Sequence, residues 1–394
     1  MSLTTLSGIR QFWHRPTATQ RRAANLSLLC ECLAVGDTDA TDLLERLTAE
    51  TVDWQSIIWL AGCHLVTPSL TGALQRKGFF AQLPLEVQDY LATLQRLNRE
   101  RNQILREQLV TITQALNRIG IQPVLLKGAI ALTSEQYPGA EDRVMGDLDL
   151  LVPNQYMDIA TKTVEDLGYQ HDQKVNPWAL PGDLKRQYHP SNNPHDRPLL
   201  HSTLPVKVEL HRRILNDKMD DALLCETMKV QPFNFVEDAM VLIPDPAMRV
   251  LHNLLHAQIS NQQRLKKALD LRQLLEFSAL AHYYTAELNT DSLLNRLRAN
   301  RQPVLAEYWA QAERWLKVSY PESLPRSSHE GINLWLLERV ATQPLWLQLF
   351  SFLDGLRKLP GLLFRLAPRL IMRAWLMPGY FPAKIKELLK GQSS

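Results

Sequence analysis

Along the first 120 positions apolar residues recur every three or four places, the spacing of helices that pack by one face. One run covers 17–35 and stops at Gly36-Asp37-Thr38. A second opens at Asp53, a side chain suited to capping, and carries Trp54, Ile57, Ile58, Leu60 and Ala61 on its apolar side. Pro68 interrupts the next segment, and Pro84 precedes a long helical run over about 86–119.

The pattern then shortens. Val124-Leu125-Leu126 predicts a buried strand closed by Lys127-Gly128, and 129–137 predicts a helix ended by Pro138-Gly139. Residues 147–152 predict a second strand, stopped by Pro153, whose alternation puts Asp147 and Asp149 on one face. Asn154 is placed to cap a helix reaching about Leu167, Gly168 ends it, and 169–172 predict a short edge strand. From Gln173 to Leu204 the chain is rich in proline, histidine and asparagine and predicts a long flap on the substrate side. Val206-Lys207-Val208-Glu209-Leu210-His211 restores the two-residue alternation, with Lys207, Glu209 and His211 sharing a face. Helical spacing returns after Pro244 and Pro246, runs from about 248 to 280 and dominates to the C-terminus.

The class this predicts is α+β, a mixed β-sheet core with N-terminal and C-terminal helical regions. Its expected parts are a helical region over 1–120, an α/β catalytic core over 121–215, a helical region packing on the core over 216–345 and a basic amphipathic tail over 346–394. With 394 residues, 45% of them hydrophobic, the chain can bury a substantial core. A net charge of +3 is too weak to point to a nucleic-acid partner. Cys30, Cys32, Cys63 and Cys225 are too few and too scattered for a disulfide framework, and the pair Cys30 and Cys32, inside a helical pattern, suits buried apolar positions better than metal ligation.

No apolar stretch has the length of a membrane span. His14, Arg15, Arg21 and Arg22 precede the first apolar run, which argues against an export signal and for a cytoplasmic setting. Over 353–389, leucines and aromatics mix with Arg357, Arg365, Arg369, Arg373 and Lys384. Short core-packed helices with basic solvent faces account for that mixture, and peripheral contact with the inner face of a membrane is the alternative.

Asp147, Asp149 and Glu209 carry the chemistry. Two carboxylates two apart on a strand, with a third on another strand, can converge on a hard divalent cation such as Mg²⁺, and nucleotide phosphates can supply further ligands. A solvated strand edge would also tolerate Asp-x-Asp, but carboxylates beside an apolar core repel one another unless a cation or a basic group compensates, and the cation is the simpler of the two. His189, His195 and His201 lack a zinc-ligand spacing, and His252 and His256, four apart, lack the glutamate of a His-Glu-x-x-His helix.

The succession Leu125-Leu126-Lys127-Gly128, then Arg143 to Val152 with its Gly146-Asp147-Leu148-Asp149, then Val208-Glu209-Leu210-His211, resembles an uncharacterised bacterial nucleotidyltransferase family related to the minimal nucleotidyltransferases. The resemblance covers roughly 20–280. It implies a nucleotidyltransferase-like sheet and Mg²⁺-dependent transfer of NMP, AMP being the expected group, from an NTP such as ATP to an acceptor, with release of pyrophosphate. Asp147, Asp149 and Glu209 would be the catalytic and metal-binding residues, with Lys127, Gly128, Arg143 and His211 on the nucleotide; pairing of Lys127 with the carboxylates, anchoring of the acidic loop by Arg143 and a hydrogen bond from His211 to Glu209 are the structural alternatives. Where the wider superfamily has Gly-Ser after its first strand, this chain has Lys127-Gly128. The resemblance also implies that the helix of His252 and His256 packs near the α/β centre, with Lys266, Lys267 and Asp270 as secondary candidates on the nucleotide side, although ordinary helix-surface charge accounts for those three more simply. The acceptor, a small molecule or a macromolecule, stays open. A small-molecule phosphotransferase and a non-catalytic nucleotide-binding regulator are the other readings.

Overall fold

A computed structural model describes residues 19–36, 39–133, 140–172, 193–343, 345–346, 348–351 and 353–354. Most of the expected flap, 173–192, and the basic tail from 355 onward lie outside the described residues, as does the end of the helix expected over 129–137. The chain divides into two compact units, 1–338 and 339–394. No helix among the described residues is long and apolar enough to cross a membrane.

Among the described residues five helices come first: α1 (Thr19–Leu33), α2 (Ala40–Thr48), α3 (Trp54–Cys63), α4 (Thr67–Arg76) and α5 (Leu85–Arg118). Asp53 caps α3 as its sequence suggests, accepting from the Ser56 N–H at 3.0 Å. Pro68 begins a helix instead of interrupting one, because it sits in the first turn of α4, where no intrahelical N–H is needed. α5 buries Leu105, Leu109, Ile112 and Leu116 in the core under the sheet.

Among the described residues the sheet has seven strands: β1 (Val124–Leu126), β2 (Asp147–Leu151), β3 (Gln170–His171), β4 (Leu199–Leu200), β5 (Lys207–His211), β6 (Val230–Asn234) and β7 (Met240–Pro244). Their order is β3-β4-β5-β2-β1-β7-β6. β1 runs antiparallel to β2 and parallel to β7, while β2 runs parallel to β5, so the sheet is mixed, as expected. The continuously apolar β1 is buried throughout, as a central strand should be. The β6–β7 hairpin has no counterpart in the sequence reading. β6 is an exposed edge strand carrying Gln231, Pro232 and Asn234, so it lacks the apolar run that marks a strand. The chain expected as flap also contains β4, which pairs Leu199 with Val208.

Three helical expectations change. β1 leads directly into a 3₁₀ turn, Lys127–Leu132, that starts two residues before the helix expected there. A 3₁₀ turn at Asn154–Tyr156 precedes α6 (Met157–Asp166), and no Asn154 side-chain cap forms. α7 (Lys218–Thr227) follows β5. The periodic stretch over 248–280 is four pieces: α8 (Pro246–Leu255), a wide π-type turn at His256–Ser260, α9 (Gln263–Lys266) and α10 (Leu271–Tyr283). Gln262 (φ 59°) and Lys267 (φ 50°) are left-handed and break the helix on either side of α9. α11 (Thr290–Asn295) and α12 (Gln302–Leu316) complete the helices that matter for packing here.

The N-terminal helices fix the loop that enters β2. Ser69 Oγ donates to the Asp142 carbonyl at 2.6 Å, Asn98 Nδ2 to the Glu141 carbonyl at 2.6 Å, and Asn102 Nδ2 to the Arg143 carbonyl at 2.9 Å. The Asp142 carboxylate accepts from Arg76 at 2.6 Å and Gln95 at 2.9 Å, and rests so closely on Gly72 that a Cβ there would fall 2.2 Å from its Oδ2. These bonds set the position from which Asp147 and Asp149 project.

Candidate active site

β2 and β5 lie side by side in parallel register, Asp147 opposite Lys207 and Asp149 opposite Glu209. Since residues two apart share a face, all four side chains and His211 rise on one side of the sheet. Asp149 is fully buried and Glu209 nearly so, whereas the Asp147 side chain keeps 38% of its surface exposed.

Three cations compensate these acids. Lys127 Nζ meets Asp149 Oδ1 at 2.7 Å, reaching it from a backbone with φ of 48° that turns the residue back from the end of β1. Lys207 pairs with Glu209 and lies 3.9 Å from Asp147 Oδ2. His211 Nε2 sits 2.7 Å from Asp149 Oδ1 and 3.7 Å from Glu209 Oε2, and its Nδ1 faces the Arg213 carbonyl at 3.3 Å. Both ring nitrogens face oxygens that accept, an arrangement that favours the protonated ring.

The titration tendencies agree with that geometry. Burial pulls the His211 ring down, but the hydrogen bonds to Asp149 and Glu209 outweigh it and leave the ring raised. Burial pushes Asp149 up, while the Lys127 charge and the His211 bond carry it well below the usual carboxylate range. Glu209 likewise ends at about 2, burial being outweighed first by the His211 bond. Asp147 goes the other way, raised by burial and then by the charges of Asp149 and Glu209.

A cavity of about 320 Å³ opens over this face. Lys127, Asp147 and Glu209 line its sheet wall, and His256, Arg272 and Gln273 line the wall built by the broken helical stretch. Arg143 and Gly128 lie between them: the Arg143 guanidinium pairs with Glu276 at 2.6 Å and packs on Gly128, where an added Cβ would fall 2.1 Å from Nη1. His195 enters from the flap side, its Nε2 3.8 Å from Glu209 Oε2.

A sequence model described as an uncharacterised nucleotidyltransferase matches residues 50–316. The chain belongs to that family. No curated protein matches it. The family match spans both the sheet with its acids and the broken helical wall of the cavity.

Nucleotidyltransferase chemistry calls for a divalent cation, and the residues fit one. Asp149, Glu209 and His211 offer ligand atoms all within 4.8 Å of one another. Asp149 Oδ2 is buried and has no hydrogen-bond partner among the described residues, a costly arrangement that a cation would relieve. A hard cation prefers oxygen, and His211 Nε2 already faces Asp149 Oδ1 at 2.7 Å, so His211 suits orienting Asp149 better than coordination.

All seven residues singled out in the sequence line this cavity or, like the buried Asp149, lie directly beneath it. The secondary candidates have other partners. Asp270 caps α10 through the Gln273 N–H at 3.2 Å, Lys266 donates to the Asn261 carbonyl at 2.9 Å, and Lys267 donates to Asn333 at 2.6 Å. The sequence assigns no role to Lys207 or Arg272, offers His195 only as a poor zinc ligand, and places His256 near the cleft only through the family resemblance. Lys207 was detectable through its two-residue spacing from Glu209; the others depend on the flap and on the helix breaks.

Proposed function

We propose that this chain transfers a nucleoside monophosphate, AMP being the expected group, from an NTP to an acceptor, with release of pyrophosphate. The observation that carries the reading is the in-register pair Asp149 and Glu209, with the Asp149 Oδ2 buried and lacking a hydrogen-bond partner. Asp149 and Glu209, joined by the more exposed Asp147, would hold Mg²⁺, which when bound would neutralise triphosphate charge and polarise the α-phosphoryl group. Lys127 would turn from Asp149 to a phosphate oxygen, and Gly128 allows the close approach that Arg143 already uses. His211 would keep Asp149 oriented.

In the reaction an acceptor oxygen bonds to the α-phosphorus, the bond from that phosphorus to the bridging oxygen of the β-phosphate breaks, and pyrophosphate departs. The acceptor's proton needs a base. His195 Nδ1 lies 2.7 Å from the Asp196 carbonyl and must donate to it, which leaves the lone pair on Nε2, beside Glu209. His195 is therefore the candidate base. A cytoplasmic setting, where nucleoside triphosphates are plentiful, suits this reading.

The test is mass spectrometry of purified protein incubated with each NTP, Mg²⁺ and cell extract, with pyrophosphate followed in parallel and Asp147→Ala as control. An NMP adduct that the variant does not make supports the proposal. Release of a nucleoside diphosphate would replace it with phosphotransfer, and nucleotide retention without any transfer would replace it with a regulatory role.

A further inference from the structure

Most of the cationic side chains at the cavity already face an acid. Lys127 and His211 lie on Asp149, and Arg143 lies on Glu276. His195 adjoins Glu209, and burial, then the nearby Lys127 charge, holds His256 neutral at ordinary pH. Arg272 differs. It lines the cavity half-buried, and among the described residues no carboxylate lies within ion-pair distance of it.

Two features make that an unfavourable place for an arginine in the ligand-free protein. Arg272 is the second residue of α10, so it sits at the positive end of the helix macrodipole, and the first turn of that helix contains no acidic residue. The neighbouring Asp270 carboxylate is engaged elsewhere, by the Gln273 N–H at 3.2 Å and by Gln263 Nε2 at 2.9 Å. A guanidinium partly withdrawn from water without an acid beside it loses hydration and gains no charge partner. An anion in the cavity would supply that partner, and the planar fork of a guanidinium matches two phosphate oxygens at once.

We infer that Arg272, rather than Arg143, is the arginine that binds the pyrophosphate portion of the triphosphate. The inference rests on the nucleotidyl-transfer reading. Arg143 is fixed by Glu276 and by its packing on Gly128, so its work is to hold the turn after β1 in place. Arg272 reaches the ligand from the helical wall, while the acids and Lys127 hold it from the sheet wall. Glu276 lies one helical turn beyond Arg272 on α10 and belongs to Arg143, so the helix supplies both a structural acid and a ligand-binding cation.

The experiment is calorimetric titration of the full chain with inorganic tripolyphosphate in the presence of Mg²⁺, for wild type, Arg272→Ala and Arg272→Lys. Mn²⁺ binding without phosphate is followed by EPR in the same proteins. Removing a charge-assisted contact should weaken tripolyphosphate binding by about ten- to a hundredfold in Arg272→Ala. Arg272→Lys should fall between the two, because it keeps charge and loses the fork. Mn²⁺ affinity and melting temperature should stay at wild-type values or, for the melting temperature of Arg272→Ala, rise. Undiminished tripolyphosphate binding by Arg272→Ala overturns the assignment while leaving the nucleotidyl-transfer reading standing. A wild type that binds Mn²⁺ but neither tripolyphosphate nor any NTP overturns both.

Discussion

His211 and Asp149 sit on neighbouring parallel strands, and the histidine's Nε2 donates to Asp149 Oδ1 at 2.7 Å while its Nδ1 donates to the Arg213 carbonyl at 3.3 Å. The ring is held from both ends, so it fixes which Asp149 oxygen is occupied and which, Oδ2, is left for a cation. His211→Gln removes the charge and one of the two anchors. Groups that orient metal-binding carboxylates typically contribute ten- to a hundredfold, so Mn²⁺ affinity is expected to fall by about that factor. Unchanged affinity in a folded His211→Gln protein would sink the orienting role.

Asp147 and Asp149 should behave differently when truncated, although they are two residues apart. Asp149→Ala would leave Lys127 and His211 buried without their acid, an arrangement that typically costs about 3–5 kcal/mol. Asp147 is partly exposed, so Asp147→Ala should lose turnover and keep its stability to within about 1 kcal/mol. Urea denaturation of both variants checks this; equal destabilisation by the two would contradict the burial argument.

Lys127 stands where a metal's charge would be needed. Lys127→Gln should therefore raise the Mn²⁺ affinity of the nucleotide-free protein, by roughly tenfold for each 1.4 kcal/mol of repulsion removed. The same variant should lose turnover, because the phosphate contact goes with the ammonium group. EPR titration reads the first effect and pyrophosphate release the second, and weaker Mn²⁺ binding would show that the ammonium group does not compete with the metal.

Gly128→Ala places a methyl group 2.1 Å from Arg143 Nη1 and 3.2 Å from Met145 Cγ. Arg143 is tied to Glu276 and cannot simply swing away, so overpacking of this kind should cost about 1–3 kcal/mol. A melting temperature equal to wild type would mean that the Arg143–Glu276 pair moves freely.

Acid should destabilise the protein partly through His252 and His256. Burial, reinforced by the mutual charge of the two rings, lowers His252 far below its ordinary value, and burial followed by the Lys127 charge lowers His256 from 6.5 to about 4. A histidine depressed in the folded state stabilises the fold above its unfolded value, and that stability is lost as pH falls toward the folded one. For His256 the window is 6.5 to about 4 and the full effect on the order of 3 kcal/mol. Chemical denaturation at pH 7 and pH 5 should show a smaller difference in His256→Gln than in wild type; an identical difference would rule out its contribution.

The sequence by itself determined the local pieces whose periodicity is unambiguous. β1, β2 and β5 follow from apolar runs and two-residue alternation, α3 from its Asp53 cap, and the shared face of Asp147 with Asp149 from strand geometry alone. It also singled out Glu209 and His211, because alternation relates them within one strand. Tertiary structure decided the rest. Only sheet order and register put Asp149 opposite Glu209, and only the turn after β1 brings Lys127 onto Asp149. The exposed β6 lacked a strand pattern, and left-handed residues at Gln262 and Lys267 broke a stretch whose helical spacing continues past them. Those breaks bring Arg272 and His256 into one cavity with the acids. Periodicity records which face of an element is apolar; pairing, burial and charge compensation between distant elements depend on distances that exist only after folding.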